Sequence, residues 1–178
     1  MNIDPVFIFT MIYEVVLADI ARQGDIEAVV NSANANLRFG SGVAGAIHSA
    51  AGPELEDYCE PYAPLPFGAA LVTPGFNLPN KFVIHVRAAH YLNDEEPEAV
   101  LQKCVQSVVA AANQNEITSI AIPAIGTGVF KFPKELSASI MATSFRQCFE
   151  QPTSLLKVRI CVADAYTKAL FERAFFAA

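Results

Sequence analysis

Apolar, β-branched runs recur along the chain at residues 6–17, 28–30, 69–73, 82–86, 119–122 and 156–162, and stretches with helical spacing separate them. The clearest helical stretch is 97–115. There Leu101, Cys104, Val105, Val108, Val109 and Ala112 repeat at three and four positions, as one buried helix face requires. Pro97 suits its first turn. A second helix is predicted after Pro133, with Leu136, Ile140, Phe145, Cys148 and Phe149 as its stripe. A third covers about 166–176, with Leu170, Phe171, Ala174 and Phe175 apolar. A shorter one carries Val43, Ala46, Ile47 and Ala50 and stops at Gly52-Pro53. These stripes read as core. Strands alternating with helices predict an α/β layered domain with a largely parallel sheet, and the long N-terminal run is expected to add an antiparallel edge strand. The proline-containing stretch 60–67 reads as an ordered surface loop.

Length narrows this to a single domain over residues 1–178, and a hydrophobic fraction of 53% supplies an ordinary core. The net charge of −6, with no block of Lys or Arg, argues against an extended nucleic-acid surface. It leaves a nucleotide open, because main-chain N–H groups can hold a phosphate. Cys59, Cys104, Cys148 and Cys161 are scattered, with no C-x-x-C pair and no His at ligand spacing. They read as reduced thiols of a cytoplasmic protein, and no metal or cofactor is required by any motif. The apolar run 6–17 is preceded by Asp4 and interrupted by Glu14, so it reads as a buried strand rather than a leader or a membrane segment.

Two glycine-rich turns carry the chemistry. The first runs Val30-Asn31-Ser32-Ala33-Asn34 and then Gly40-Ser41-Gly42-Val43-Ala44-Gly45-Ala46-Ile47; the second runs Ile122-Pro123-Ala124-Ile125-Gly126-Thr127-Gly128-Val129-Phe130. Each follows a predicted strand and precedes a predicted helix, where backbone N–H groups bind phosphate without a lysine. Taken singly, either could be only a tight turn. Gly40-x-Gly42-x-x-Gly45 formally matches the dinucleotide fingerprint, but it sits well past the strand, so a nicotinamide-type site is not the reading; no Gly-Lys-Ser/Thr exists for a P-loop. Asn31 reads as structural and Asn34 as the better ligand contact. His48 and His85 read as structural, and His90 and Tyr91 start a loop bordering the site.

These motifs, in this order, together with Ala50-Ala51-Gly52-Pro53-Glu54-Leu55 and the run from Phe76 to His85, resemble the macrodomain family over about residues 15–175. The resemblance implies a three-layer α/β/α fold with a mixed, largely parallel central sheet and a site for ADP-ribose or ADP-ribosyl groups. The family's adenine-contacting Asp-Ile pair stands at a spacing closer to the twelve residues between Asp19 and Asn31 than to the six between Asp25 and Asn31. The resemblance therefore assigns Asp19 and the Ile20 N–H to adenine, with Asp25 in a surface turn. It implies that Asn34 contacts the distal ribose and that Gly42, Val43 and Ala44 wrap the diphosphate. Gly126, Thr127, Gly128, Val129 and Phe130 would close from the other side, although Phe132 competes with Phe130 for burial.

The departures bear on activity. Many family hydrolases carry an acidic residue after the loop Val, credited with orienting water; here it is Ala44. Lys131 stands where glycine is common, and Ala163 where an aromatic often stacks on adenine, with Tyr166 as a possible substitute. Losing that stack weakens binding by about 1 kcal/mol. A binding module is thus expected. A hydrolase of ADP-ribosyl esters, O-acetyl-ADP-ribose or ADP-ribose 1″-phosphate is the alternative, with Asn34 as its catalytic candidate and the ligand's own diphosphate orienting water. A purely structural α/β interaction domain would show no nucleotide affinity.

Overall fold

The computed structural model describes residues 10–177. Its strands are β1 (Ile12–Leu17), β2 (Ala28–Ser32), β3 (Ala70–Pro74), β4 (Phe82–Val86), β5 (Ser119–Pro123) and β6 (Lys157–Val162). Its helices are α1 (Gly42–Ala51), α2 (Glu54–Cys59), α3 (Pro97–Gln114), α4 (Lys134–Cys148) and α5 (Ala165–Phe176). Short 3-10 turns cover Ile20–Arg22 and Glu60–Tyr62. The strands form one six-stranded sheet in the order β1-β6-β5-β2-β4-β3.

Side chains alternate across the sheet with the two-residue period of a strand. Ala28 and Val30 of β2, Ile120 and Ile122 of β5, and Val158, Ile160 and Val162 of β6 face one core, which includes Leu101, Val105 and Val108 of α3 and Met141 and Phe145 of α4. Val29, Val83, Ala121 and Cys161 point the other way and pack with Ile47 and Ala51 of α1 and Leu55 and Cys59 of α2. The result is the expected three-layer arrangement. The central strands read as continuous apolar runs because both faces are covered.

Every pairing is parallel except β3 with β4. The antiparallel edge is therefore β3. The N-terminal strand, expected to be antiparallel, is an edge strand running parallel to β6, with Leu17 opposite Val162. The expected strand portion at 6–9 lies outside the described residues. The parallel orientation brings the carboxyl ends of β1, β6, β5 and β2 to one end of the sheet, where such folds hold ligands. At the opposite end, Arg159 of β6 donates to both carboxylate oxygens of Asp25 at 2.7 Å and also to Glu14 and Gln23. Hydrogen bonds from Arg159 hold the Asp25 carboxyl down to about 2.

The four cysteines are free thiols. Among the described residues no helix is long and apolar enough to cross a membrane, and no group of three or more His, Cys, Asp or Glu could hold a metal ion.

Candidate ligand cleft

A cleft of about 330 Å³ opens at the carboxyl end of the sheet. One wall is the first glycine turn, from Ser41 to Val43, with Ser32 at the end of β2. The facing wall is the second glycine turn, with Ala124 and Gly126 through Phe130. The end of β6 and the start of α5 contribute Cys161 through Asp164 and Thr167, and Lys134 enters from α4.

Local chemistry sets each wall. Gly42 has φ +60°, a left-handed conformation that glycine adopts without strain. Ser41 occupies the position before α1, yet its hydroxyl makes no capping bond, unlike most serines there. In the second turn Gly126 has φ +81°, and a Cβ there would stand 2.9 Å from the Phe132 ring. The turn is closed by bonds from Phe132 N to Gly126 O and from Thr127 N and Oγ1 to Ala124 O. Phe132 is buried against Tyr91, with ring centroids 4.9 Å apart, whereas Phe130 lines the cleft. The competition between these two aromatics is thereby resolved in favour of Phe130 as the cleft residue. Tyr91 N donates to Phe130 O, which ties the 90–91 loop to this wall; His90 is used in its own turn, accepting from Leu92 N.

The remaining expected residues stand around the cleft rather than in its lining. Asp19 follows β1, caps the first 3-10 turn through Ala21 N at 2.9 Å, and keeps a half-exposed carboxylate. Ile20 is buried beside it. Ala18 N bonds to Val162 O, so this corner adjoins the β6 end of the cleft. Asn34 Oδ1 accepts from Arg38 N and its Nδ2 donates to Arg38 O. Its amide thus braces the turn behind Gly40, where a Cβ would lie 3.3 Å from Nδ2. Ala44 is buried in the first turn of α1. Ala163 lines the cleft, but Tyr166 does not. The Tyr166 hydroxyl donates to Glu135 and its ring lies over Lys134, so it does not substitute for a stacking aromatic.

Lys134, Asp164 and Thr167 are cleft residues absent from the motifs. Asp164 caps α5 by accepting from Thr167 N, and it pairs with Lys134 Nζ at 3.0 Å. The Thr167 backbone bond first, and then Lys134, hold the Asp164 carboxyl down to about 2. The Cys161 thiol is pushed up to about 12 by burial and stays protonated.

Asn31 and His85 belong to a buried network beneath the cleft. Asn31 Nδ2 donates to His85 Nδ1 at 3.1 Å; His85 Nε2 lies 3.1 Å from Thr73 Oγ1, which donates to Pro74 O. This polarity requires the neutral Nε2–H tautomer, and burial lowers the His85 pKa to about 3. Burial likewise lowers that of His48. Both rings are buried, and neither lines the cleft.

A family model described as the Macro domain matches residues 30–141. The chain belongs to the macro domain family. A macro domain-containing protein of Ralstonia nicotianae is 39% identical to it over 149 residues, covering 83% of this chain and 85% of that one. The Bos taurus ADP-ribose glycohydrolase MACROD1 is 38% identical over 141 residues, which is 78% of this chain and 43% of that protein. Among solved structures, the Oceanobacillus iheyensis macrodomain with ADP superposes at a TM-score of 0.85, with 29% identity over 92% of this chain and 90% of that one. The Trypanosoma brucei macrodomain in complex with ADP-ribose gives 0.84 and 25% identity, over 96% of this chain and 72% of that one.

Proposed function

We propose that this macrodomain binds ADP-ribose, either free or as a terminal group on another molecule. One observation carries the reading: two glycine turns face each other across a cleft at the carboxyl ends of β2 and β5. That arrangement offers backbone N–H groups to a diphosphate from both sides. In this reading Gly42, Val43 and Ala44 take one side of the diphosphate, and Gly126, Thr127, Gly128 and Val129 the other. Phe130 packs on the distal ribose, and Asn34 turns from Arg38 to reach it. Asp19 accepts from the adenine amino group, assisted by the Ile20 N–H. Asp25 is held by Arg159 at the opposite end of the sheet, whereas Asp19, 3.7 Å from Arg22 Nε, stands at the corner beside the β6 end of the cleft.

Ala44 carries no base, and the thiol of Cys161 is not a thiolate. Binding without turnover is therefore the primary activity we assign. Similarity to a protein named ADP-ribose glycohydrolase favours a second reading, hydrolysis of an ADP-ribose derivative. The candidate substrates are an ADP-ribosyl ester, O-acetyl-ADP-ribose or the 1″-phosphate; positioning and electrostatic stabilisation would supply catalysis, with Asn34 holding the distal ribose. The four free thiols suit a reducing cytoplasm.

Calorimetric titration with ADP-ribose tests the site. Asp19→Ala is expected to weaken binding at least tenfold, on the scale of one lost charge-assisted hydrogen bond of about 1.5–3 kcal/mol. Asp25→Ala is expected to spare affinity and lower Tm slightly, because Arg159 loses its two bonds to Asp25 and keeps those to Glu14 and Gln23. The reverse pattern would move the adenine contact to Asp25. Release of ADP-ribose from an ester-linked substrate, abolished in Asn34→Ala, would make the protein a hydrolase.

A further inference from the structure

Among the described residues that line the cleft, Lys134 is the sole Lys or Arg, in a protein of net charge −6. It stands at the start of α4, just beyond the second glycine turn. Its Nζ is 3.0 Å from Asp164 Oδ2 and 5.9 Å from the centroid of the Tyr166 ring.

Asp164 keeps other partners without it. The Asp164 carboxylate also accepts from Thr167 N at 2.8 Å and, at both oxygens, from Thr167 Oγ1 at 2.9 Å. An ammonium has three donors, and a single bond to Asp164 leaves two of them for an acceptor in the cleft. The pair is also easily exchanged: with side chains 38% and 45% exposed, it is of the surface kind that contributes little. A bond from Lys to a phosphate oxygen inside a concave site is the stronger alternative. The Tyr166 ring stands beside Lys134, with its own hydroxyl donating to Glu135.

We propose that Lys134 exchanges its contact with Asp164 for the diphosphate of the ligand, supplying the charge that the glycine turns lack. This inference rests on the proposed ADP-ribose reading. It predicts that selectivity for phosphate-bearing ligands resides partly in one side chain, and that the affinity of this macrodomain is salt-sensitive.

The test is titration of wild type, Lys134→Gln and Lys134→Arg with ADP-ribose, ADP and adenosine at two ionic strengths. Lys134→Gln is expected to lose about tenfold in affinity for ADP-ribose and ADP, to lose salt sensitivity, and to hold adenosine as the wild type does. Lys134→Arg is expected to restore most of the loss. Equal affinity of wild type and Lys134→Gln for ADP-ribose would overturn the inference and leave the proposed function standing. Equal weakening toward adenosine would also overturn it, by showing a structural role. Binding of ADP but not ADP-ribose would overturn the proposed function, and the Lys134 comparison would then be decided on ADP alone. Binding of neither would overturn both.

Discussion

Gly45→Ala is expected to lower ADP-ribose affinity about a hundredfold, equivalent to roughly 2.7 kcal/mol. A Cβ at Gly45 would stand 2.4 Å from the carbonyl oxygen of Gly40, a backbone atom that can move only if the turn moves. Gly45 sits in the first turns of α1, where the helix passes against the chain leading into it. The methyl group would push Gly40 and Ser41 outward and carry Gly42 with them. The N–H groups of that wall would then miss the diphosphate. Part of the strain would appear as lost stability, on the order of 1–3 kcal/mol for an overpacked contact. Circular dichroism and thermal melting establish that the variant is folded before its affinity is measured by calorimetry. Gly24→Ala is the matched control, because the nearest atom to its Cβ would be Pro79 Cβ at 3.9 Å. If Gly45→Ala bound ADP-ribose as tightly as the wild type, the first glycine turn would not be the phosphate grip.

Acid is expected to destabilise the protein through His85 before Asp25 and Asp164 take up protons. In the unfolded chain a histidine takes up its proton near pH 6.5. In the folded chain burial lowers the His85 pKa to about 3, so the ring stays neutral. Protons thus bind preferentially to the unfolded state, and stability falls as pH drops from about 6.5 toward 3. The slope approaches 1.4 kcal/mol per pH unit, which gives about 2–3 kcal/mol between pH 7 and pH 4.5. His48, also lowered by burial and 6.4 Å away between ring centroids, acts in the same direction. Asp25 and Asp164, each held near 2, lose their stabilising interactions only at lower pH. Urea unfolding of wild type and His85→Gln at pH 7 and 4.5 isolates the effect. The variant starts from a lower stability, but its loss on acidification is expected to be smaller by most of that 2–3 kcal/mol. Parallel losses in the two proteins would mean that His85 is protonated in the folded state.

The strands and the longer helices were legible because their periodicities are strong. The runs at 82–86 and 119–122 fall inside β4 and β5, and the stripe from Leu101 to Ala112 coincides with the buried face of α3. The helix α2 was not legible: in six residues it buries only Leu55 and Cys59, too few for a stripe, and Gly52-Pro53 reads as a stop. The direction of an edge strand is equally absent from a local pattern, since alternation is the same whichever way a strand runs. Whether β1 or β3 is antiparallel is decided by connections: β3 returns to its neighbour β4 through the short segment 75–81, whereas β1 reaches β6 only through tertiary packing.

The cleft divides in the same way. Its two glycine turns are continuous in sequence and follow strands, so local reasoning reached them. Lys134, Asp164 and Thr167 meet because β5 and β6 are neighbours, which sets the start of α4 beside the start of α5. Thirty residues separate Lys134 from Asp164, and no spacing rule links them. Tyr166 illustrates the converse. Sequence proximity made it a candidate for the base pocket, but the helical turn after Asp164 carries it onto Glu135 and away from the cleft.

The reversed direction of β3 has a practical use. Its turn into β4, fastened by Gly75 N to Lys81 O and by the Asn80 amide to Gln23 O and Ile26 O, emerges at the end of the sheet opposite the cleft. Five-residue strands put about 17 Å between the two ends. The side chain of Asn77, exposed on that turn, is therefore a handle. A fluorophore or surface tether attached there leaves both glycine turns facing solution, with the protein oriented to present its cleft to whatever carries the ligand.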